Sequence, residues 1–296
     1  MATALLDQAG NEPVAATILS PGEFAWCSVF SPRLADGNQS IVVRLGSWPD
    51  TAELATFAGL LGHTEAAFFV LNDQRLEMRW FAGNREVPLC GHCALAACSV
   101  LLPVLQDGRL LEVANLRGRL WLSSHDGEPY IHFKQPLLKE IPAEKIQIGL
   151  SLSKVFDAGR DYLLIVEDEE ALKRFDPLKA PLEQLEKIGC ILSSPTASAT
   201  AAFRFFAPRA GIQEDRASGS VIPALMAYWA EKESGECEFS QESGHGIRIR
   251  ARRVEDKIAL TGPVLRFATG KILPSVSGSL GSYVSHFSHP RNKADA

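Results

Sequence analysis

Long apolar runs, basic clusters and a secretory leader are all scarce in this chain of 296 residues. No stretch approaches the ~20 apolar residues that a membrane-spanning helix needs. The N-terminal residues, with Asp7 and Glu12 among them, lack a signal-peptide apolar core. The net charge is −5 with no Lys/Arg-rich stripe, which argues against a nucleic-acid footprint. The short run from Arg248 to Arg253 alternates as an exposed strand face would. Six cysteines (Cys27, Cys90, Cys93, Cys98, Cys190, Cys237) are scattered through the chain and make no disulfide framework. The expectation is a cytosolic chain with reduced thiols and with neither nucleic acid nor membrane as partner.

What is present points to about two domains, because the length exceeds what one core usually serves. With 46% hydrophobic and 22% charged residues the composition is that of an ordinary globular protein. The chain is organised around Glu86-Val-Pro-Leu-Cys-Gly-His-Cys-Ala-Leu-Ala-Ala-Cys-Ser-Val-Leu-Leu102, which ends a strand, turns at Gly91 and opens an apolar helix. A helix start offers free backbone N–H groups, and glycine lets a ligand approach them, so this is a ready anion site. The device recurs at Glu214-Asp-Arg-Ala-Ser-Gly-Ser-Val-Ile-Pro-Ala-Leu-Met-Ala-Tyr-Trp229, again with Glu, four residues, then Gly. The preceding strands also match, Arg79-Trp-Phe-Ala82 answering Arg204-Phe-Phe-Ala207.

Period-two and β-branched runs predict strands near 24–30, 40–45, 65–71, 75–82, 110–113 and 119–123 in the first half. In the second they fall near 129–134, 161–166, 190–193, 203–207, 237–241, 246–252, 257–261 and 264–267. Helical spacing predicts helices at 50–61, capped by Gly62, at 93–102, at 177–187 with Leu178, Leu182 and Leu185 inward, and at 221–230. Two very apolar helices must be enclosed, so an α+β fold is expected in which each half wraps a curved sheet around a helix, with both helix starts facing a cleft. The organisation is read as an extension at 1–22, halves at 23–127 and 128–273, and a tail at 274–296.

Three sets of residues carry candidate chemistry. Cys90-Gly-His-Cys93 is a C-x-x-C at a helix start, a dithiol oxidoreductase pattern, although its downstream twin Ser218-Gly-Ser-Val221 has no thiol. Glu65 precedes an apolar strand at once, where burial would raise its pKa and suit it to acid/base work. Alternatively it is an ordinary strand corner. His92 and Asp215 lie inside the paired turns, where the local alternatives are a first-turn residue and a capping carboxylate.

The segments Glu86 to Ala97, Glu214-Asp-x-Ala-Ser-Gly-Ser220, His63-Thr-Glu-Ala-Ala-Phe68 and Gly37-Asn38 resemble the phenazine-biosynthesis PhzF-like isomerase family. The resemblance runs from about Phe24 to Lys271 and includes Gly159-Arg-Asp-Tyr-Leu163. It implies a diaminopimelate-epimerase fold of two pseudo-symmetric domains, each a barrel-like sheet around a central helix. It also implies a proton shuttle, without a cofactor, by Glu65, with His92 and Asp215 as helpers. Gly91, Gly219 and Ser220 would bind a small carboxylate-bearing substrate, Asn38 would match the family's Gly-Asn-Pro, and a homodimer is expected by analogy. No metal ligands are assigned. Gln39, Cys93 and Arg216 depart from the family pattern and bear on the substrate. Epimerases of this fold pair two thiols, but Ser218 stands opposite Cys90, which disfavours that mechanism and leaves a one-thiol dehydratase open. A non-catalytic metabolite-binding protein is the reading from another class.

Overall fold

The computed structural model describes residues 18–62, 65–72, 75–115, 118–230, 235–243 and 247–272. Most of the expected extension and the whole expected tail lie outside the described residues, as do His63 and Thr64. Residues 18–22 are anchored rather than loose: Leu19 is buried, and its carbonyl accepts from the Arg44 guanidinium at 2.7 Å.

The fold is α+β and dominated by one continuous sheet. In the first half Glu23–Val29, Asn38–Leu45, Glu65–Asn72, Arg75–Ala82, Leu111–Asn115, Gly118–His125 and Glu128–Lys134 pair in that order. The senses run antiparallel, parallel, antiparallel, parallel, antiparallel, antiparallel. The second half repeats the same senses with Lys154–Asp157, Asp161–Ile165, Gly189–Ser194, Ala201–Ala207, Cys237–Gln241, Ile247–Val254 and Lys257–Thr261. The internal echo in the sequence is therefore a structural duplication.

The halves are stitched together. Glu128–Lys134 pairs with Lys257–Thr261 across the seam. Val264–Lys271, the last of the described strands, lies against Glu23–Val29, the first of them, and Lys139–Ile141 does the same for Lys154–Asp157.

Among the described residues there are four α-helices: α1 (Thr51–Leu60), α2 (Gly91–Leu101), α3 (Glu169–Arg174) and α4 (Ile222–Trp229). Helix α2 is the core of the first half; every residue but Ser99 is buried, as its largely apolar sequence requires. Each fully enclosed Leu or Val there contributes roughly 1.5–3 kcal/mol. In the second half α4 buries Ile222 to Met226, while Tyr228 and Trp229 stay partly exposed. Its turn differs from the first: Gly219–Val221 is a single 3₁₀ turn ahead of the helix.

The helix expected over 177–187 is not formed. Only Leu182–Gln184 turns, as 3₁₀, and Leu178 is exposed. Pro177 and Pro181 remove two backbone donors within five residues. The helix lies earlier, at α3, where the Asp168 carboxylate accepts from the Ala171 N–H at 2.6 Å and caps it.

His132, on the seam strand, is buried with Nε2 2.8 Å from Ser123 Oγ. Burial, helped by the charges of Arg252 and Lys257, pushes its pKa down to about 4 from the usual 6.5. The unfolded chain therefore takes up this proton near pH 6.5, whereas the folded chain resists it to about pH 4. Stability present above pH 6.5 is lost as the pH falls through that window, by roughly 3 kcal/mol at about 1.4 kcal/mol per unit. In His132→Gln this part of the acid slope should vanish, as urea midpoints at pH 7, 5.5 and 4.5 would show.

Candidate active site

Both turns are built by the same ion pair. The Arg79 guanidinium donates twice to Glu86, at 2.7 and 2.5 Å, and stacks over Phe81; Arg204 donates twice to Glu214, at 2.7 Å each, and stacks over Phe206. A two-toothed fork fixes the strand that leads into each turn. The turns then meet. A Cβ on Gly91 would lie 2.9 Å from the Ser220 backbone nitrogen and 3.3 Å from the Gly219 carbonyl carbon. These are backbone atoms that cannot swing away, so only glycine fits. Gly91→Ala should cost about 1–3 kcal/mol, read as a lower denaturant midpoint with unchanged m.

A cleft of about 1360 Å³ opens in front of these turns, lined by Asn38, Glu65, Gly91, His92, Asp215, Gly219 and Ser220 among others. All seven residues expected at the site are thus brought together, and Cys90 joins them. The first intrahelical bond of α2 runs from Ala94 N–H to the Cys90 carbonyl, so the amides of Gly91, His92 and Cys93 precede it at the positive end of the helix.

Asn38 and Glu65 are the first residues of two neighbouring parallel strands, which puts both side chains at one sheet end beside α2. Glu65 Oε2 lies 2.8 Å from His92 Nε2 and 3.5 Å from the Cys90 sulfur. Burial alone would raise the Glu65 pKa, as expected from the sequence. The neighbouring His92 charge and the bonds from His92 and Cys90 outweigh it, and the carboxyl is held below its ordinary value. Burial opposes protonation of His92, but the Cys90 sulfur and the Glu65 carboxylate raise its pKa well above the usual one. The resting pair is a carboxylate against an imidazolium, which corrects the picture of a neutral acid. Cys90 is driven the other way: burial first, then Cys93 and the Glu65 charge, keep its thiol protonated.

Asp215 ends the strand Ile212–Asp215. Its carboxylate accepts from Asn38 Nδ2 and from Ser218 Oγ, both at 2.7 Å. Ser218, the counterpart of Cys90, is therefore an orienting donor. Two residues that carried no role in the sequence complete the frame. Gln241, fully buried, accepts from the Ser218 N–H at 2.6 Å and donates to the Asp215 carbonyl at 2.5 Å. Arg160 donates to Ser220 Oγ at 3.2 Å while paired with Asp161, and brings a cation to the cleft wall. The run Gly159-Arg-Asp-Tyr-Leu163 was the available signal for Arg160; nothing local marked Gln241.

The halves differ where the chemistry sits. The strand position answering Glu65 is Gly189, where a Cβ would meet the Phe206 carbonyl oxygen at 2.7 Å. No carboxylate can stand there.

Residues 27–255 match the family model described as phenazine biosynthesis-like protein. The chain belongs to the PhzF-like family. It is 29% identical over 255 residues to an uncharacterised isomerase of Pseudomonas aeruginosa, covering 84% of this chain and 98% of that one. A PhzF-family phenazine biosynthesis protein of Enterococcus faecalis superposes with a TM-score of 0.74 at 25% identity, over 85% of this chain and 98% of the other. A hydroxyproline epimerase of Agrobacterium vitis, 10% identical, shares the fold alone, with a TM-score of 0.53. The fold expected from the sequence is thus the one found, and relatives such as the Pseudomonas protein carry the name isomerase.

Proposed function

We propose that this PhzF-like chain is a cofactor-independent isomerase that moves a proton within a small carboxylate-bearing metabolite. The observation that carries the reading is Glu65 Oε2, held between His92 Nε2 and the Cys90 sulfur at the wall of a cleft whose floor is two abutting anion-binding turns. The substrate carboxylate is held by the amides of Gly91, Gly219 and Ser220 and by Arg160. Glu65, already ionised, takes the proton from a carbon of the substrate. The charge that develops faces the His92 imidazolium and the helix start, which stabilise it. Glu65 then returns the proton at a second carbon. Asp215, fixed by Asn38 and Ser218, accepts from a substrate N–H or O–H and sets which face of the substrate meets Glu65.

The protein acts as a soluble chain in this reading, and a homodimer fits it by analogy with its fold relatives. The test is to identify by mass a metabolite that purifies with the cleft, then to follow its C–H signals in D₂O with the protein present. Exchange with a shifted double bond supports the proposal; tight binding without exchange would leave a metabolite-binding protein.

A further inference from the structure

Cys90 and Cys93 take no part in that chemistry, yet their sulfurs lie beside its central pair. Among the described residues Glu65, Cys90, His92 and Cys93 each offer one ligand atom, all within 4.8 Å of one another. We propose that these four residues form a binding site for a thiophilic divalent cation of the Zn²⁺ kind.

The spacing fits such an ion. With bonds of about 2.0 Å to oxygen and nitrogen and about 2.3 Å to sulfur, a tetrahedral centre has edges of roughly 3.5 Å for O–S and N–S and roughly 3.3 Å for O–N. Cys90 Sγ stands 3.5 Å from Glu65 Oε2 and 3.6 Å from His92 Nε2. The Glu65–His92 contact, at 2.8 Å, is a hydrogen bond that opens by about half an ångström when an ion replaces its proton. Each thiol gives its proton to solvent as its bond to the ion forms, and His92 gives up the proton it shares with Glu65. The cation replaces these charges in a buried place. Ser40, fully buried beside Cys93, has a hydroxyl with no other partner among the described residues and hydrogen-bonds the sulfur. Glu65, Cys90 and His92 all line the cleft, so an ion has a way in.

The duplication shows that packing does not require this set. The second turn has Ser218, Ser220 and Val221 where the first has Cys90, His92 and Cys93, and Gly189 where the first has Glu65. The same frame forms there without a thiol, so the four ligands are an addition to one half. An ion held there occupies the Glu65 oxygens and stops proton transfer; this consequence rests on the function proposed above, while the binding itself does not.

The experiment titrates the reduced, metal-freed full chain with Co²⁺, followed by Zn²⁺ as competitor. One equivalent should give thiolate-to-cobalt charge-transfer absorption and the visible bands of a tetrahedral centre, erased by Zn²⁺. Cys93→Ala should bind at least about 100-fold more weakly, since even outer supports of a metal site are worth 10–100-fold. Cys98→Ala, whose thiol faces the Tyr130 carbonyl, should bind like the wild type. Should Cys93→Ala melt early, Cys90→Ala makes the same comparison. Wild type without thiolate absorption, an unaffected Cys93→Ala and Cys90→Ala, or equal loss in Cys98→Ala would each overturn the site. Proton exchange that depends on Glu65 in a protein without cobalt bands would sink the metal site alone. Cobalt bands in a protein inert toward every acid would sink the isomerase reading alone.

Discussion

Glu65→Gln should lower deuterium incorporation from solvent into the substrate by about 10²–10⁴-fold, the range of a positioned proton-transfer group. The amide keeps the shape of the carboxyl and can still accept from His92 Nε2, so the melting temperature should change little. It has no basicity, the equivalent strand position is Gly189, and the other carboxylates lining the cleft are committed, Asp215 to Asn38 and Ser218, Glu86 to Arg79, Glu214 to Arg204 and Asp161 to Arg160. Cys90→Ala should keep exchange within about tenfold, since burial holds that thiol protonated and a thiol is a poor base. Parallel NMR time courses in D₂O decide the matter: full exchange in Glu65→Gln with loss in Cys90→Ala would hand the proton to the thiol.

Arg204→Ala should destabilise the chain by about 3–5 kcal/mol, the range for breaking a buried ion pair from one side. The guanidinium side chain is 9% exposed. Besides its fork to Glu214 it donates to the carbonyls of Leu172 and Phe175, which tie α3 to the strand Ala201–Ala207. Its removal leaves two acceptors and a carboxylate without their partner. Arg79→Ala breaks the twin fork, but that side chain is 20% exposed and its other bond goes to Thr51 Oγ1 in a solvent-facing position, so about 1–3 kcal/mol is expected. Urea unfolding of the two variants side by side tests the ranking. Equal losses would mean that burial does not decide the strength of these pairs.

Both forks were half visible in the sequence, as a repeated Arg strand and a repeated Glu-to-Gly spacing. The strands and the two apolar helices were visible for the same reason: periodicity and apolar runs are local signals. The site was harder to read. Asn38 meets Asp215 across 177 positions, from strands in different halves that do not pair, and Gln241 meets Ser218 across 23; neither contact leaves a local trace. Without a recognisable family pattern Glu65 was one acid among many. Its protonation could not be read from its apolar neighbours, because the group that decides it, His92, arrives from the first turn of α2. Residues 177–187 misled because leucines at helical spacing hid two prolines.

Of the described strands, the one that closes the first half is made last. Val264–Lys271 supplies the neighbour of Glu23–Val29, so while the chain emerges from the ribosome its first strand has an unpaired edge until residue 271 has been added. The first half cannot finish folding ahead of the second, although it contains α2 and both members of the Glu65–His92 pair. A chain stopped short of Val264 would leave the outer edge of Glu23–Val29 open to pairing with other chains, so residues 264–271 belong to the first half in space though not in sequence.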